Sequence, residues 1–423
     1  MHLTRRYFLQ VSGSLLVGLG AQPLGLLADD PVPPAEQVRR NKTLVVIFLR
    51  GGADGLNLVV PYADPAYSKL RPSLAIGSPR AEAGRAIDLD GFFGLHPRLA
   101  SLVPWFEARQ AAVVHAVGHG LNTRSHFEEQ DVWETGVTGD KLRADGWLNR
   151  HLASSTGGGA IRAVAIGSGL PRIFHGRAEA CVISGVSDLA MPSSRGDPDK
   201  LAAALERAYR CTPGGVRTPT AELLEQVSAA TLRGARELAK IAGQAYVPVI
   251  PYPENELATK LQHAARLIKA GCGLEVVEID YDGWDTHAGQ GGADGAFADL
   301  AGGLAESLHA FMTDLGPRLD DVAIATLSDF GRTAAENGTG GTDHGWGSCM
   351  FVLGGPVRHG AGKGKVLGKW PGLGRDALHE ERDLAHTTDF RDVLAELVGA
   401  HLGNHDLARV FPGHVVAPVG VVG

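Results

Sequence analysis

The sequence predicts an α/β fold: a doubly wound, mostly parallel sheet with helices on both faces. Three observations predict it. Continuous apolar runs recur along the chain, as strands buried on both faces of a parallel sheet require. Stretches of helical period lie between those runs, so strand and helix alternate. Glycine is abundant, with 57 in 423 residues, nearly twice the usual share of about 7%. The glycines follow no Gly-x-y period, so they suit tight loops between short elements rather than a collagen helix.

The first 28 residues read as an address. Thr4-Arg5-Arg6-Tyr7-Phe8-Leu9 precedes the apolar stretch from Val11 to Ala28, the pattern of a twin-arginine export signal. Gly13, Gly18, Gly20, Pro23 and Gly25 make that stretch a poor transmembrane helix. The alternative is a membrane anchor; the expectation is cleavage near Ala28 and no stable membrane span afterwards. The chain is then periplasmic or secreted, with the twin-arginine translocase as its partner during export. That route carries folded proteins, which fits a metal or cofactor taken up before export. The chain carries 40 Lys and Arg against 47 Asp and Glu. Removing residues 1–28 takes away Arg5 and Arg6 and no acid, leaving 38 − 47 = −9.

A Pro-rich linker, 29–42, leads into a single α/β domain, 43–423. The expected strands are Thr43–Leu49, Ala111–Val117, Ile161–Ile166, Leu274–Ile279, Val322–Leu327 and Met350–Leu353. The expected helices are Arg98–Arg109, Ser125–Trp133, Lys200–Tyr209, Ala221–Ala242, Asn255–Ala270, Phe297–Leu315 and Phe390–Leu402. Residues 187–270 are nearly all helical, broken at Pro213, Pro219 and Pro248–Pro253, and read as a helical insertion on the sheet. Hydrophobic residues make up 44%, enough for a large core, which excludes a mainly disordered chain. The acidic balance argues against nucleic acid, whose phosphates need a basic surface. Cys181, Cys211, Cys272 and Cys349 show no Cys-x-x-Cys spacing. A zinc ribbon is excluded and the disulfide state stays open.

Ligands of open parallel sheets bind beyond the C-terminal ends of the strands, so the residues following each apolar run decide the chemistry. After the first strand comes Arg50-Gly51-Gly52-Ala53-Asp54-Gly55-Leu56-Asn57, a tight turn with one carboxylate; the bland alternative is a turn aspartate. It is not Gly-x-Gly-x-x-Gly, so dinucleotide binding fails. After the second comes Thr123-Arg124-Ser125-His126-Phe127-Glu128-Glu129. Ser125 with Glu128 reads as a capping box. The same geometry sets a hydroxyl beside Arg124 at a helix start, suited to attacking or holding an anionic centre.

Asp280-Tyr281-Asp282-Gly283-Trp284-Asp285-Thr286-His287 follows the next strand. Clustered carboxylates with one imidazole suit hard-to-borderline metal ligation better than a solvated acidic loop. On an extended strand end Asp285 and His287, at i and i+2, point to one side. Trp284 and Trp346 read as wall packing around the site. After Val322–Leu327 come Ser328-Asp329-Phe330-Gly331-Arg332-Thr333 and a glycine-rich loop delivering Thr342-Asp343-His344-Gly345. Asp-Phe-Gly without the other kinase motifs excludes a kinase. Gly355–Lys365 lacks the spacing of a phosphate loop.

The twin-arginine leader with Arg-Gly-Gly-Ala-Asp-Gly-Leu-Asn, Arg-Ser-His-Phe, Gly-Trp-Asp-Thr-His, Ser-Asp-Phe-Gly-Arg-Thr and Gly-Thr-Asp-His-Gly resembles an exported bacterial family, the domain of unknown function number 1501. The resemblance spans essentially the whole chain. That family looks similar in fold to the alkaline phosphatase and sulfatase superfamily, whose members hold one or two divalent metals and attack phosphate or sulfate esters with a hydroxyl or formylglycine. By position, the resemblance implies metal ligands at Asp54, at Asp285 and His287 with Asp282, and at Asp329 and His344 with Asp343. It implies a nucleophile at Ser125 or Thr123, and the residues suggest Arg124 or Arg332 as clamps on the substrate oxygens. Cys211-Thr-Pro-Gly-Gly lacks the arginine of the formylglycine pattern, which excludes that sulfatase type. The expectation is an alkaline phosphatase-like, exported hydrolase of an anionic phosphate or sulfate ester. Its cofactor is one or two divalent ions, zinc, manganese, calcium or magnesium. The alternative is an exported binding or scaffold protein that keeps the fold without turnover.

Overall fold

The computed structural model describes residues 42–140, 143–157, 159, 161–185, 233–357 and 365–422. The leader, the linker before Lys42, the expected helix Lys200–Tyr209, Cys211 and the turns at Pro213 and Pro219 lie outside these residues. Only the later part of the expected insertion is described: a helix over 233–243, followed by the Pro-rich segment and a longer helix.

Among the described residues, twelve strands form two sheets: β1 (Thr43–Leu49), β2 (Val59–Val60), β3 (Ile87–Asp88), β4 (Gly94–Leu95), β5 (Ala111–Gly118), β6 (Ala163–Ile166), β7 (Cys181–Ile183), β8 (Val276–Tyr281), β9 (Val322–Ser328), β10 (Ser348–Gly354), β11 (Val366–Leu367) and β12 (Thr388–Asp389). The central sheet runs β11-β5-β10-β9-β1-β8-β6-β7 with β12 beside β5, and β2-β4-β3 form a small separate sheet. β1 is parallel to β8 and β9. β6 is parallel to β7 and β8, and β11 and β12 are parallel to β5. β10 alone runs against its neighbours β5 and β9. The sheet is therefore mostly parallel, as expected. The exception has a local cause: the chain leaves β9 at Asp329 and re-enters at Gly347 on the same edge, which only an antiparallel strand can follow.

Burial on both faces explains the uninterrupted apolar runs. In β1, Val45, Ile47 and Leu49 join one core cluster, and Leu44, Val46 and Phe48 join the other. Among the described residues, the helices covering these faces include α1 (His126–Thr135), α2 (Trp147–Ser154), α3 (Glu256–Ala270), α4 (Ala296–Leu315) and α5 (Phe390–Glu396). The first cluster packs against Leu257, Leu261 and Ile268 of α3 and Leu304, Leu308 and Phe311 of α4. The second packs against Trp133 of α1, Trp147 and Leu148 of α2, and Val393 and Leu394 of α5. Each fully buried Leu, Ile or Phe contributes about 1.5–3 kcal/mol, so the two-sided core dominates stability. No helix among the described residues is long and apolar enough to cross a membrane.

Two expected helices are broken. Arg98–Arg109 is a 3₁₀ segment, Pro97–Leu102, followed by Val103–Glu107. Pro104 has no N–H to continue the ladder. Phe390–Leu402 is α5 followed by a π turn, Leu397–His401, which pushes His401 inward. His401 Nε2 lies 3.0 Å from the Thr43 carbonyl, while its Nδ1 is buried without a partner. Burial pushes its pKa down to about 4. His115 is also buried, its Nδ1 accepting from the Ala116 N–H, and burial holds its pKa at about 4 too.

Both imidazoles are therefore neutral in the folded chain. The unfolded chain takes up their protons first, so their contribution is complete above pH 6.5 and is lost as pH falls toward 4. Each accounts for about 3 kcal/mol across that window. Urea midpoints measured from pH 7.5 to 4.5 should fall, and should fall less steeply in His401→Gln, which keeps the donor to Thr43. Identical slopes for the two proteins would contradict this assignment.

Candidate metal centre

Four loops meet at the C-terminal edge of β1, β5, β8 and β9, and their closeness is set by backbone contact. Gly51 and Gly52 follow β1 with φ of 116° and 75°. A Cβ at Gly51 would stand 2.5 Å from the Asp285 nitrogen, and one at Gly52 would stand 2.7 Å from the Phe330 ring. Only glycine lets the loops approach so closely. Arg332 fills the junction with a fully buried guanidinium. It donates to the carbonyls of Gly51, Gly52, Trp284 and Thr342 and to the Asp285 carboxylate, the last at 2.6 Å.

Above this junction His126, Asp285 and His344 each offer a ligand atom, all within 4.8 Å of one another. His126 Nε2 lies 3.5 Å from Asp285 Oδ2, and His344 Nε2 lies 3.3 Å from Asp285 Oδ1. His287 stands beside them, its Nε2 2.8 Å from His344 Nε2 and 3.1 Å from Asp285 Oδ1. The outer nitrogens are also engaged. His126 Nδ1 bonds to Asp329, His287 Nδ1 lies 3.1 Å from Asp343, and His344 Nδ1 lies 2.9 Å from the Arg124 carbonyl. Carboxylates and carbonyls behind ligating imidazoles fix their orientation in metal sites.

The charge states follow from the neighbours. Burial alone would raise Asp285, but the hydrogen bond and charge of Arg332, with His287 and His126, hold its pKa below the usual carboxylate range. The hydrogen bond to Asp329 raises His126 against the opposing effect of burial. Burial, with the charges of His126 and Arg332, lowers His344 despite its bond to Arg124. The Asn337 amide, together with His287, lowers Asp343. A carboxylate among imidazoles at one edge suits a divalent cation of borderline character.

Other expected ligands lie apart from this group. Asp54 is fully buried and pairs with Arg71 at 2.6 Å, while Gln290 donates to the same oxygen at 2.7 Å. Its charge is answered by a guanidinium, and it is not among the clustered ligands. Asp282 is exposed, and its electrostatic neighbours are Asp280, Lys260 and Glu256. Asp329 and Asp343 contact the imidazoles from behind. Asp285 and His287 share one side, on a loop rather than a strand, because β8 ends at Tyr281 and Gly283 takes φ 102°. Trp284 is wholly buried against Phe297, as wall packing requires.

The catalytic candidates separate similarly. Ser125 precedes α1 as its N-cap but makes no side-chain capping bond, so the Ser125–Glu128 box does not form. Glu129 instead accepts from the Thr123 N–H and hydroxyl, which ties Thr123 into the loop. Arg124 sits at φ 59°, strained for a residue with a Cβ. Its guanidinium pairs with Asp383 and Glu380. Arg332 is a buried strut. Both guanidiniums are engaged by carboxylates of the protein. Sequence pattern singles out neither His126 nor Arg71. His126 was hidden behind Ser125, although the first residue of a helix following a strand end is itself a signal; Arg71 has no local pattern.

Arg332→Met should cost about 3–5 kcal/mol, because it strands buried carbonyls and the Asp285 charge. Arg332→Lys should recover only part of this, since an ammonium cannot span the same acceptors. Urea unfolding measures both. A Met variant within about 1 kcal/mol of the parent would remove Arg332 from its place as the junction.

Comparison with curated proteins gives no match. Among solved structures, one described as "Structure of PH0037 protein from Pyrococcus horikoshii" is 12% identical, covering 87% of this chain and 98% of its own, with a TM-score of 0.31. At that score the likeness carries no argument. The family model described as "Protein of unknown function (DUF1501)" matches residues 41–417, and the chain belongs to that family.

Proposed function

We propose that this protein is an exported, metal-dependent hydrolase of phosphate or sulfate esters that uses the Ser125 hydroxyl as nucleophile. The observation carrying the proposal is the convergence of His126, Asp285 and His344 ligand atoms within 4.8 Å. A divalent ion there would supply Lewis acidity, easing deprotonation of a hydroxyl and drawing charge from the ester oxygens. The chain's own residues would do the rest. Ser125 adjoins His126 at the positive end of α1, where an anionic group is favoured, and its hydroxyl is not consumed by capping. Thr123 is tied to Glu129, which leaves Ser125 as the nucleophile of choice. Arg332 fixes Asp285 in place.

A second reading, an exported binding or scaffold protein, draws support from the pairing of Arg124 with Asp383 and Glu380 and the burial of Arg332. The two readings part on turnover. Leaderless protein, stripped by chelator and reloaded with zinc, manganese, calcium or magnesium, is assayed on a panel of phosphate and sulfate esters. Activity should return with metal, and Ser125→Ala should lower kcat by orders of magnitude. Fully loaded protein without turnover on any ester would leave the binding reading. Export is tested separately: changing Arg5 and Arg6 together to Lys should hold the precursor in the cytoplasm, and unaffected export would refute the twin-arginine assignment.

A further inference from the structure

We infer that the centre takes one borderline divalent transition-metal ion per chain, with His287 as a fourth protein ligand beside His126, Asp285 and His344. The inference deepens the proposed function and rests on it only in taking a cation to belong at this centre.

The hydrogen bonds on the outer nitrogens orient the rings. A backbone carbonyl only accepts hydrogen bonds. His344 Nδ1, 2.9 Å from the Arg124 carbonyl, therefore carries a hydrogen, and its Nε2 keeps a lone pair. An ionised carboxylate likewise only accepts. Asp343 also accepts from the Asn337 amide at 3.1 Å, so His287 Nδ1 donates to it and His287 Nε2 is the nitrogen turned toward the centre. Asp329 accepts from the Gly51 N–H and from His126 Nδ1, which turns His126 Nε2 inward, where it is buried without a hydrogen-bond partner. The Nε2 atoms of His126, His287 and His344 thus all face the Asp285 carboxylate, at 3.5, 3.1 and 3.3 Å. The His287 and His344 nitrogens stand 2.8 Å apart, a separation at which two lone pairs repel unless a positive charge lies between or beside them.

The donor set selects the cation. Calcium and magnesium take oxygen ligands, whereas imidazoles with one carboxylate and no thiolate suit zinc, manganese, ferrous iron or cobalt. Asp329, Asp343 and the Arg124 carbonyl become positioning groups that fix each ring. The strained Arg124 backbone then has a role, because its carbonyl meets His344 Nδ1 at 2.9 Å. A proton shared by His287 and His344 would account for their contact equally well, and it predicts no need for His287 in metal binding.

Cobalt(II) titration of the metal-free full-length mature chain, followed by visible absorption and elemental analysis, separates these cases. The expected result is one cobalt per chain with nitrogen-dominated d–d bands. Zinc should compete, and a large excess of calcium or magnesium should not. His287→Ala and His287→Asn should each weaken cobalt binding by at least about a hundredfold, and Asp343→Ala by about ten- to a hundredfold. Metal-free thermal unfolding of each variant reports that the fold is retained. Two cobalt ions per chain, no cobalt binding, or unchanged affinity in a folded His287 variant would each overturn the inference. Cobalt binding that depends on His287 without hydrolysis of any ester would sink only the hydrolase reading. Metal-dependent hydrolysis with unchanged affinity in folded His287→Asn would sink only this one.

Discussion

Burying an arginine costs several kcal/mol unless its N–H groups find acceptors. Arg332 meets that demand only because three loops bring carbonyls and a carboxylate to it. The dependence runs both ways. The loop after β1 can close over Arg332 because Gly51 and Gly52 adopt positive φ. The loop after β8 is held by Trp284 and Asp285, and the approach to β10 is held by Thr342. This contact, against the opposing effect of burial, helps hold the Asp285 pKa below the usual carboxylate range. The carboxylate that His126, His287 and His344 face is thus held in place from below by Arg332.

Helix α1 joins this edge to the interior. Its first residue, His126, reaches the candidate centre, and Glu129 grips both Thr123 and His119, the latter at 2.5 Å. Near its end, Glu134 pairs with Arg50 at 2.7 Å, and Arg50 also pairs with Asp280 at the end of β8. The helix is thus fastened to β1 and β8 by charge and to the second core cluster by Trp133. A shift of α1 would move His126 and the β1 turn together.

The sheet was legible in the sequence because two-sided burial writes itself directly as runs such as Thr43–Leu49 and Val322–Leu327. The direction of β10 was not. Its run Met350–Leu353 is as apolar as the others, and hydropathy carries no sign; the loop back to the same edge sets the sense. The strand-end loops were legible as the place where acids and imidazoles gather, while the contacts of each residue depended on distant partners. Asp54 reads as a crevice carboxylate until Arg71 is seen beside it, and nothing local marks Arg71 for that task. Ser125–Glu128 is a sound signal for a helix start, yet Glu129 takes the work expected of Glu128 by holding Thr123. Asp285, His287 and His344 were legible because short loops with Asp and His close together leave few other arrangements.

The return of the chain from β9 to β10 on one edge has a consequence for motion. Asp329–Gly347 begins and ends in neighbouring strands, and it closes on itself through Gly331 to Trp346, Gly345 to Gly331 and Thr333 to Asp343. Those amides cannot be exposed by fraying an edge strand or lifting one helix, because both anchors are central strands. The loop that carries Asp343 and His344 is thereby tied at both ends to the middle of the sheet.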